Sequence, residues 1–203
     1  MVTPLTFVGD DAALMQALRS GHPGAAAAFY DQHAAHVYRT LRSALGTDEE
    51  IPDLLQEVFI RALDRIGKLR DFERVRGWLT TIAIFVARGH IRLRSRRGWL
   101  SMFSPERTCP GQINQPSSEA RQALREVYDV LDQMPVDERM AFVLRFIDGM
   151  TLPDAAEACQ TSLATLKRRL ARAVKHFVET ARRRPALEPW LKDGTRWNLQ
   201  KQS

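Results

Sequence analysis

Four basic side chains in the C-terminal third of the chain, Lys167, Arg168, Arg172 and Lys175, lie within the stretch LKRRLARAVKHFV. Their chemistry is that of fixed cations with several N–H donors, which neutralise phosphates and, for arginine, grip a base edge through two parallel hydrogen bonds. They fall largely off the line drawn by Leu163, Leu166, Leu170, Val174, Phe177 and Val178, whose three-to-four-residue spacing marks one apolar stripe of a helix. Ser162 stands where an N-cap for that helix belongs. Just upstream, Thr151 caps a shorter helix, with Asp154 at capping-box spacing and Pro153 in the first turn, and that helix ends near Cys159 and Gln160. A short helix, a tight turn and a longer helix, apolar on one side and basic on the other, spell a helix-turn-helix that lays its second helix in the major groove of DNA.

A second chemical face comes from the string DLLQEVF at Asp53 to Phe59. Asp53, Gln56, Glu57 and Asp64 lie away from the Leu54, Leu55, Val58 stripe, so one side of this helix is buried and the other offers hydrogen-bond acceptors to a basic partner surface. Catalytic groupings are missing. His33 and His36 near Asp31 have helical spacing, but His33 falls on an apolar stripe and no further ligand cluster accompanies them, so core packing is favoured over a metal. No Gly-rich phosphate loop or nucleophile arrangement is present, and the reading is of a protein that is not an enzyme, with no cofactor.

Charge supports a polyanionic partner. The 203 residues carry a formal charge of +6, with 44% hydrophobic residues, enough for one large core or two small ones. The basic residues cluster in an acid-free arginine run at Arg88 to Arg97 and in Lys167 to Arg184, where Glu179 is the single acid, which suggests two contacts along one polyanion. The two cysteines, Cys109 and Cys159, form neither a disulfide framework nor a zinc site. No apolar run is long enough to span a membrane, and MVTPLTFVGDD lacks the features of a signal peptide. The expectation is a cytoplasmic protein without membrane insertion.

The elements that position these residues read as all-α. A short helix starts at Asp10 or Asp11; a second runs from about Gly24 to Leu45, with Phe29, His33, Val37, Leu41 and Leu45 every four residues; a third runs from about Asp48 to Ile66. After the mixed-charge loop Gly67 to Gly77, a fourth starts near Trp78 and enters the arginine run. Composition shifts over Gly98 to Ser118, which holds three prolines and no helical period, so a flexible linker is expected there. The resulting division is a helical domain over 10–97, the linker over 98–118, a second helical domain over 119–184 and a tail over 185–203. The second domain opens with Ala123, Val127, Val130 and Leu131 on one face and includes a helix from Val136 to Ile147. Trp190, Leu191 and Trp197 in the tail are a candidate regulatory contact.

Taken in order, these strings resemble the bacterial RNA polymerase sigma factors of the sigma-70 family, in the extracytoplasmic-function (ECF) group. FYDQHAAHVYR at Phe29 to Arg39, DLLQEVFIRAL at Asp53 to Leu63 and WLTTIA at Trp78 to Ala83 match region 2; LDQMPVDERMAFVLRFIDGMT at Leu131 to Thr151 and TLKRRLARA at Thr165 to Ala173 match region 4. The resemblance implies a subunit that binds core RNA polymerase, recognises the -35 and -10 elements of promoter DNA, helps melt the latter, and is held off by an anti-sigma factor. By position, Asp53, Gln56 and Glu57 would dock on core polymerase. Arg70, Phe72, Arg74, Arg76, Trp78, Arg88, Arg92 and Arg94 would serve the melted -10 element, although core packing is the favoured reading for Trp78. Thr165, Lys167, Arg168, Arg172 and Lys175 would meet the -35 duplex, and Arg169 a phosphate. The alternative is a stand-alone helix-turn-helix regulator, which would need only the second domain.

The chain departs from the family pattern. Phe85 stands where Asn is usual and Gly89 where Asp is usual, and a glycine inside a helix costs about 1 kcal/mol relative to alanine, so a bend or fraying is expected there. In the helix-turn-helix, Gln160 stands where a turn glycine is usual, Ala155 where a larger aliphatic is usual and Pro153 where an acid is common.

Overall fold

The computed structural model describes residues 7, 11–46, 49–69, 71–98 and 118–188, and among them the secondary structure is entirely helical. Eight α-helices follow in order: α1 (Asp11–Arg19), α2 (Ala25–Leu45), α3 (Ile51–Leu63), α4 (Val75–Gly98), α5 (Ser118–Asp132), α6 (Val136–Phe142), α7 (Leu152–Ala158) and α8 (Leu163–Ala181). The interior of the expected linker and the aromatic part of the tail, with Trp190 and Trp197, lie outside the described residues, as do Arg70 and Cys109.

Helix α2 follows its sequence pattern closely, since Phe29, His33, Val37, Leu41 and Leu45 are all buried. Gly46 ends it with φ 78°, and its N–H donates to the Arg42 carbonyl at 2.8 Å. A positive φ of this kind is one that only glycine adopts at no steric cost. Helix α3 is shorter than the spacing suggests: Pro52 sits in its first turn, and Ile66, expected as its last residue, is buried in a separate 3-10 turn at Ile66–Lys68. Helix α4 starts earlier than expected, because the Asp71 carboxylate accepts from the Glu73 N–H at 2.9 Å and sets up the 3-10 turn Phe72–Arg74 that feeds directly into Val75. It then runs unbroken through Gly89 to Gly98. The anticipated bend is absent because packing on both sides holds the helix: Leu79, Ile82, Ala83, Ile84, Val86 and Ala87 are all buried.

At 100° per residue those buried positions span about 200° of α4, a little over half of its circumference. One side packs on α2 and α3, the other on α6 and α7, so one apolar core runs from α1 through to Leu166 and Leu170 of α8. A second core joins α5, α6 and α8 around Phe142 and Phe177, whose rings stack at 4.8 Å. Each fully buried leucine or phenylalanine here stabilises by about 1.5–3 kcal/mol relative to exposure.

The helix expected over Val136 to Ile147 changes character midway. It is α-helical to Phe142 and then widens into a π turn over Val143–Ile147, with the Asp148 N–H donating to the Val143 carbonyl at 3.0 Å. Five consecutive residues, Met140 to Leu144, are buried, because this segment is wedged between the two cores and has no solvent face.

The second half of the chain also caps the first. Tyr128 Oη donates to the carbonyls of Arg42 and Ser43 at 3.2 and 3.4 Å, and Arg139 Nε donates to the carbonyl of Ala44 at 2.9 Å. The last carbonyls of a helix lack intrahelical donors, so Ser43 and Ala44 gain partners here and Arg42, already paired with Gly46, gains a second; a buried guanidinium also suits the negative end of the helix dipole.

Candidate nucleic-acid interface

The helix-turn-helix forms as its caps dictate. Thr151 Oγ1 accepts from the Asp154 N–H at 3.3 Å to start α7, and Ser162 Oγ accepts from the Thr165 N–H at 3.2 Å to start α8. Between them Gln160 takes φ 51°, the left-handed geometry for which glycine is the usual choice. A non-glycine residue there costs on the order of 1–2 kcal/mol. Leu166, Leu170, Ala173, Phe177 and Ala181 form the buried side of α8, whereas Leu163, expected on that stripe, is 41% exposed because it precedes the first turn that meets the core.

On the outer side, Lys167, Arg168, Arg172 and Lys175 are exposed, and Thr165 is half-buried. Arg168 Nη2 donates to Thr165 Oγ1 at 3.1 Å, Arg172 pairs with Glu138 at 2.8 Å and Lys175 lies 3.9 Å from Glu179. Arg169 differs from its neighbours: its side chain is 20% exposed and bonds Asp137 at 2.9 Å.

The residues expected to serve single-stranded DNA divide into two groups. Phe72 is half-buried, with its ring edge-on to His33 and tilted against Phe29, and His33 itself is buried in this aromatic cluster. Arg74 and Arg76 are exposed, and Trp78 is half-buried against the core. Trp78 also lines a cleft of about 920 Å³ together with Lys68, Arg74, Thr81, Glu157 and Gln160, so the loop before α4 faces the helix-turn-helix across it. His36 is fixed beneath this region, with Nε2 at 2.9 Å from Thr80 Oγ1, and burial holds its imidazole below the usual pKa.

Further along α4, Arg88 reaches Asp137 at 2.9 Å and the Cys159 carbonyl at 3.3 Å, while Arg92 stands 3.9 Å from Asp137 and remains 60% exposed; Arg94 is exposed. Arg88, Arg92 and Arg169 thus share Asp137, a partner that spacing within one helix does not report because it lies far from each of them in the chain.

On α3, Asp53 and Gln56 are exposed and Glu57 pairs with Arg61 at 2.6 Å. Ile60 is 60% exposed on the same side. Its spacing of three, four and seven residues from Glu57, Gln56 and Asp53 puts it at the centre of that face, a signal that reading the polar positions alone passes over. Among the described residues, no group of three His, Cys, Asp or Glu side chains could hold a metal ion. No helix among them is long and apolar enough to cross a membrane.

Comparison with known proteins gives this geometry a family. The model of Sigma-70 region 2 matches residues 29–97, and that of Sigma-70, region 4 matches residues 124–177. The ECF RNA polymerase sigma factor EcfG of Rhodopseudomonas palustris is 31% identical over 131 residues, which cover 64% of this chain and 71% of that one. The chain belongs to the sigma-70 family. Within that family its relatives are ECF sigma factors, and the RNA polymerase sigma-H factor of Pseudomonas aeruginosa is 31% identical over 154 residues, 71% of this chain and 77% of that one. Solved sigma-factor structures share the fold. CnrH in complex with the cytosolic domain of CnrY superposes with a TM-score of 0.59 at 22% identity, covering 86% of this chain and 98% of that one. RpoE in complex with the anti-sigma factor NepR from Bartonella quintana gives 0.56 at 20% identity, covering 75% and 94%.

Proposed function

We propose that this sigma-70 family chain is a promoter-specificity subunit of RNA polymerase, with its first domain, over 10–97, gripping core polymerase and the melted -10 element and its second, over 119–184, placing the -35 duplex. The observation that carries this reading is the pairing of a capped helix-turn-helix with a second, separate basic helix in one chain. A stand-alone regulator would have no use for the α3 face or for the loop and arginines of α4.

Roles follow from exposure and charge. Asp53, Gln56 and Glu57 offer acceptors to core polymerase, with Ile60 as the apolar centre of the same patch. Lys167, Arg168, Arg172 and Lys175 reach the duplex through their exposed heads. Arg74, Arg76, Arg92 and Arg94 take up phosphates of the opened strand, and Trp78 holds the loop that presents them. Arg88 and Arg169 join only once Asp137 releases them.

That release has a geometric cause. The elements at -35 and -10 are about 25 base pairs apart, roughly 85 Å at 3.4 Å per pair, whereas a compact chain of this length has a radius of gyration of about 17 Å. Both elements cannot be held while α6 and α7 lie on α4, so binding to polymerase separates the halves at that seam. The solved relative RpoE is held by an anti-sigma factor, and a partner of the same kind that keeps these halves together would keep this chain off DNA. Transcription by purified core polymerase on a fitting promoter, with and without the full chain, tests the proposal. A promoter-specific transcript that depends on the chain is the expected result, and none would end it.

A further inference from the structure

The seam where α4 meets α6 and α8 carries more arginine than acid. Arg88 and Arg169 approach the Asp137 carboxylate at 2.9 Å and Arg92 at 3.9 Å, so three guanidiniums converge on one acid and leave two positive charges in excess. The neighbouring groups do not make up the difference. Glu138 is taken by Arg172 at 2.8 Å, and burial pushes the Cys159 thiol, which also feels Arg88 and Arg169, above its usual range, so no thiolate adds negative charge. Acceptors run short as well. Arg88 Nη1 donates to the Cys159 carbonyl at 3.3 Å, but the buried Nε has no hydrogen-bond partner among the described residues, and Nη2 meets Asp137 only as an ion pair. A buried charged donor without an acceptor is costly. Arg88 Nη2 and Arg92 Nη2 flank the same Asp137 oxygen and are no more than about 7 Å apart, a gap that two oxygens of one tetrahedral anion span with a charge-assisted hydrogen bond at each end. Solvent reaches the site past Arg92 and Asp137, whose side chains are 60% and 33% exposed, whereas Arg88 at 15% and Arg169 at 20% are recessed.

We propose that this seam binds a small phosphate-bearing dianion, either inorganic phosphate or the monoester group of a small molecule. The anion bridges Arg88 and Arg92 beside Asp137, accepts from the Arg88 Nε–H and completes the charge balance, since a phosphate monoester carries close to two negative charges above pH 7. A phosphodiester carries one charge and belongs to a backbone that the recessed arginines do not meet while the halves are packed, so the closed chain separates free phosphate from nucleic acid. Bound there, the anion cancels the repulsion between the arginines of α4 and Arg169 of α8 and strengthens the seam that must part on promoter DNA. That consequence rests on the functional reading above, whereas the binding itself does not.

Melting curves and isothermal titration of the full chain at constant ionic strength test this, with inorganic phosphate, methyl phosphate and dimethyl phosphate as probes. A dissociation constant of about 1 mM is expected for inorganic phosphate and for the monoester, with a melting temperature raised by about 5 °C at about 20 mM. Dimethyl phosphate, with the single charge of a nucleic-acid backbone, should bind about tenfold more weakly. Arg92→Gln, at an exposed position, should abolish the binding, and Arg183→Gln, an equal loss of charge at another exposed position, should leave it intact. General stabilisation by excluded phosphate is common to all three chains and is subtracted. A rise in melting temperature equal in wild type and Arg92→Gln overturns the site, as does a loss matched by Arg183→Gln; dimethyl phosphate binding as well as the monoester would make it a nucleic-acid contact instead. Duplex anisotropy without polymerase reads the consequence: phosphate should weaken duplex binding about threefold more than chloride of the same ionic strength in wild type, and no more than chloride in Arg92→Gln. Equal weakening in both overturns the restraint on opening. Holoenzyme that yields no promoter-dependent transcript is a different failure, that of the functional reading, and leaves the binding curves as they are.

Discussion

Arg88 of α4 lies 2.9 Å from Asp137 at the start of α6, and the same carboxylate accepts from Arg169 of α8, also at 2.9 Å. One acid thus ties together arginines from the two basic helices. With side-chain exposures of 15%, 20% and 33%, the three groups are shielded enough for the pairing to matter more than an ordinary surface ion pair. Replacing Asp137 by Asn should loosen the seam and unmask both arginines. Fluorescence anisotropy of the full chain with promoter duplex, without polymerase, should show several-fold tighter binding for Asp137→Asn and a steeper salt dependence. Equal affinity would mean that the pair does not restrain DNA binding.

Gly46 carries two separate constraints, a positive φ of 78° and the Tyr128 ring only 2.9 Å from where a Cβ would stand. Gly46→Ala should therefore lose about 1–2 kcal/mol from the backbone alone, with a further loss from the clash. Urea unfolding of Gly46→Ala, Tyr128→Ala and the double variant separates the two, because removing the ring relieves only the clash. Additive losses would contradict the contact.

Asp148 closes the π turn, and burial raises its carboxyl above the usual range despite a hydrogen bond from Ser43 and the nearby Arg39. The folded chain then binds this proton more tightly than the unfolded chain, so ionisation of Asp148 lowers stability as pH rises through its folded pKa. Asp148→Asn should unfold at higher temperature than wild type at pH 7.5, and the advantage should shrink as pH falls toward the ordinary carboxyl pKa of about 3.9. His36 acts in the opposite sense. Its lowered pKa makes the unfolded chain the better proton binder, so stability falls as pH drops below about 6.5. An Asp148→Asn difference that is constant with pH would contradict the burial argument.

Ile60 is the apolar centre of the α3 face, and 60% of it is exposed in the free chain. Ile60→Ala should weaken binding to core polymerase by about tenfold, in the range of a moderate interface hot spot, with no change in thermal stability. Surface plasmon resonance and a melting curve on the same sample check both halves of that statement.

The local parts of this structure were legible in the sequence. Thr151 and Ser162 cap where their spacing says, and the α2 stripe from Phe29 to Leu45 is buried throughout. What escaped depends on residues far apart in the chain. The widened turn at Val143–Ile147 exists because that segment lies between two cores, and periodicity within one helix cannot report it. The capping of α2 by Tyr128 and Arg139 joins residues 85 to 95 positions apart. The engagement of Arg88 and Arg169 by Asp137 is of the same kind: the basic positions were visible, their intramolecular partner was not.

One chain that reads two separated promoter elements with two different surfaces leaves two separate marks on DNA. A footprint of the holoenzyme on promoter DNA, combined with a probe of unpaired bases, tests it most directly. Two patches of protection are expected about 25 base pairs, roughly 85 Å, apart, the downstream one melted. Charge reversal at Arg168 and Arg172 should erase the upstream patch while core polymerase binding is retained. A single protected patch, or an upstream patch that survives the reversal, would contradict it.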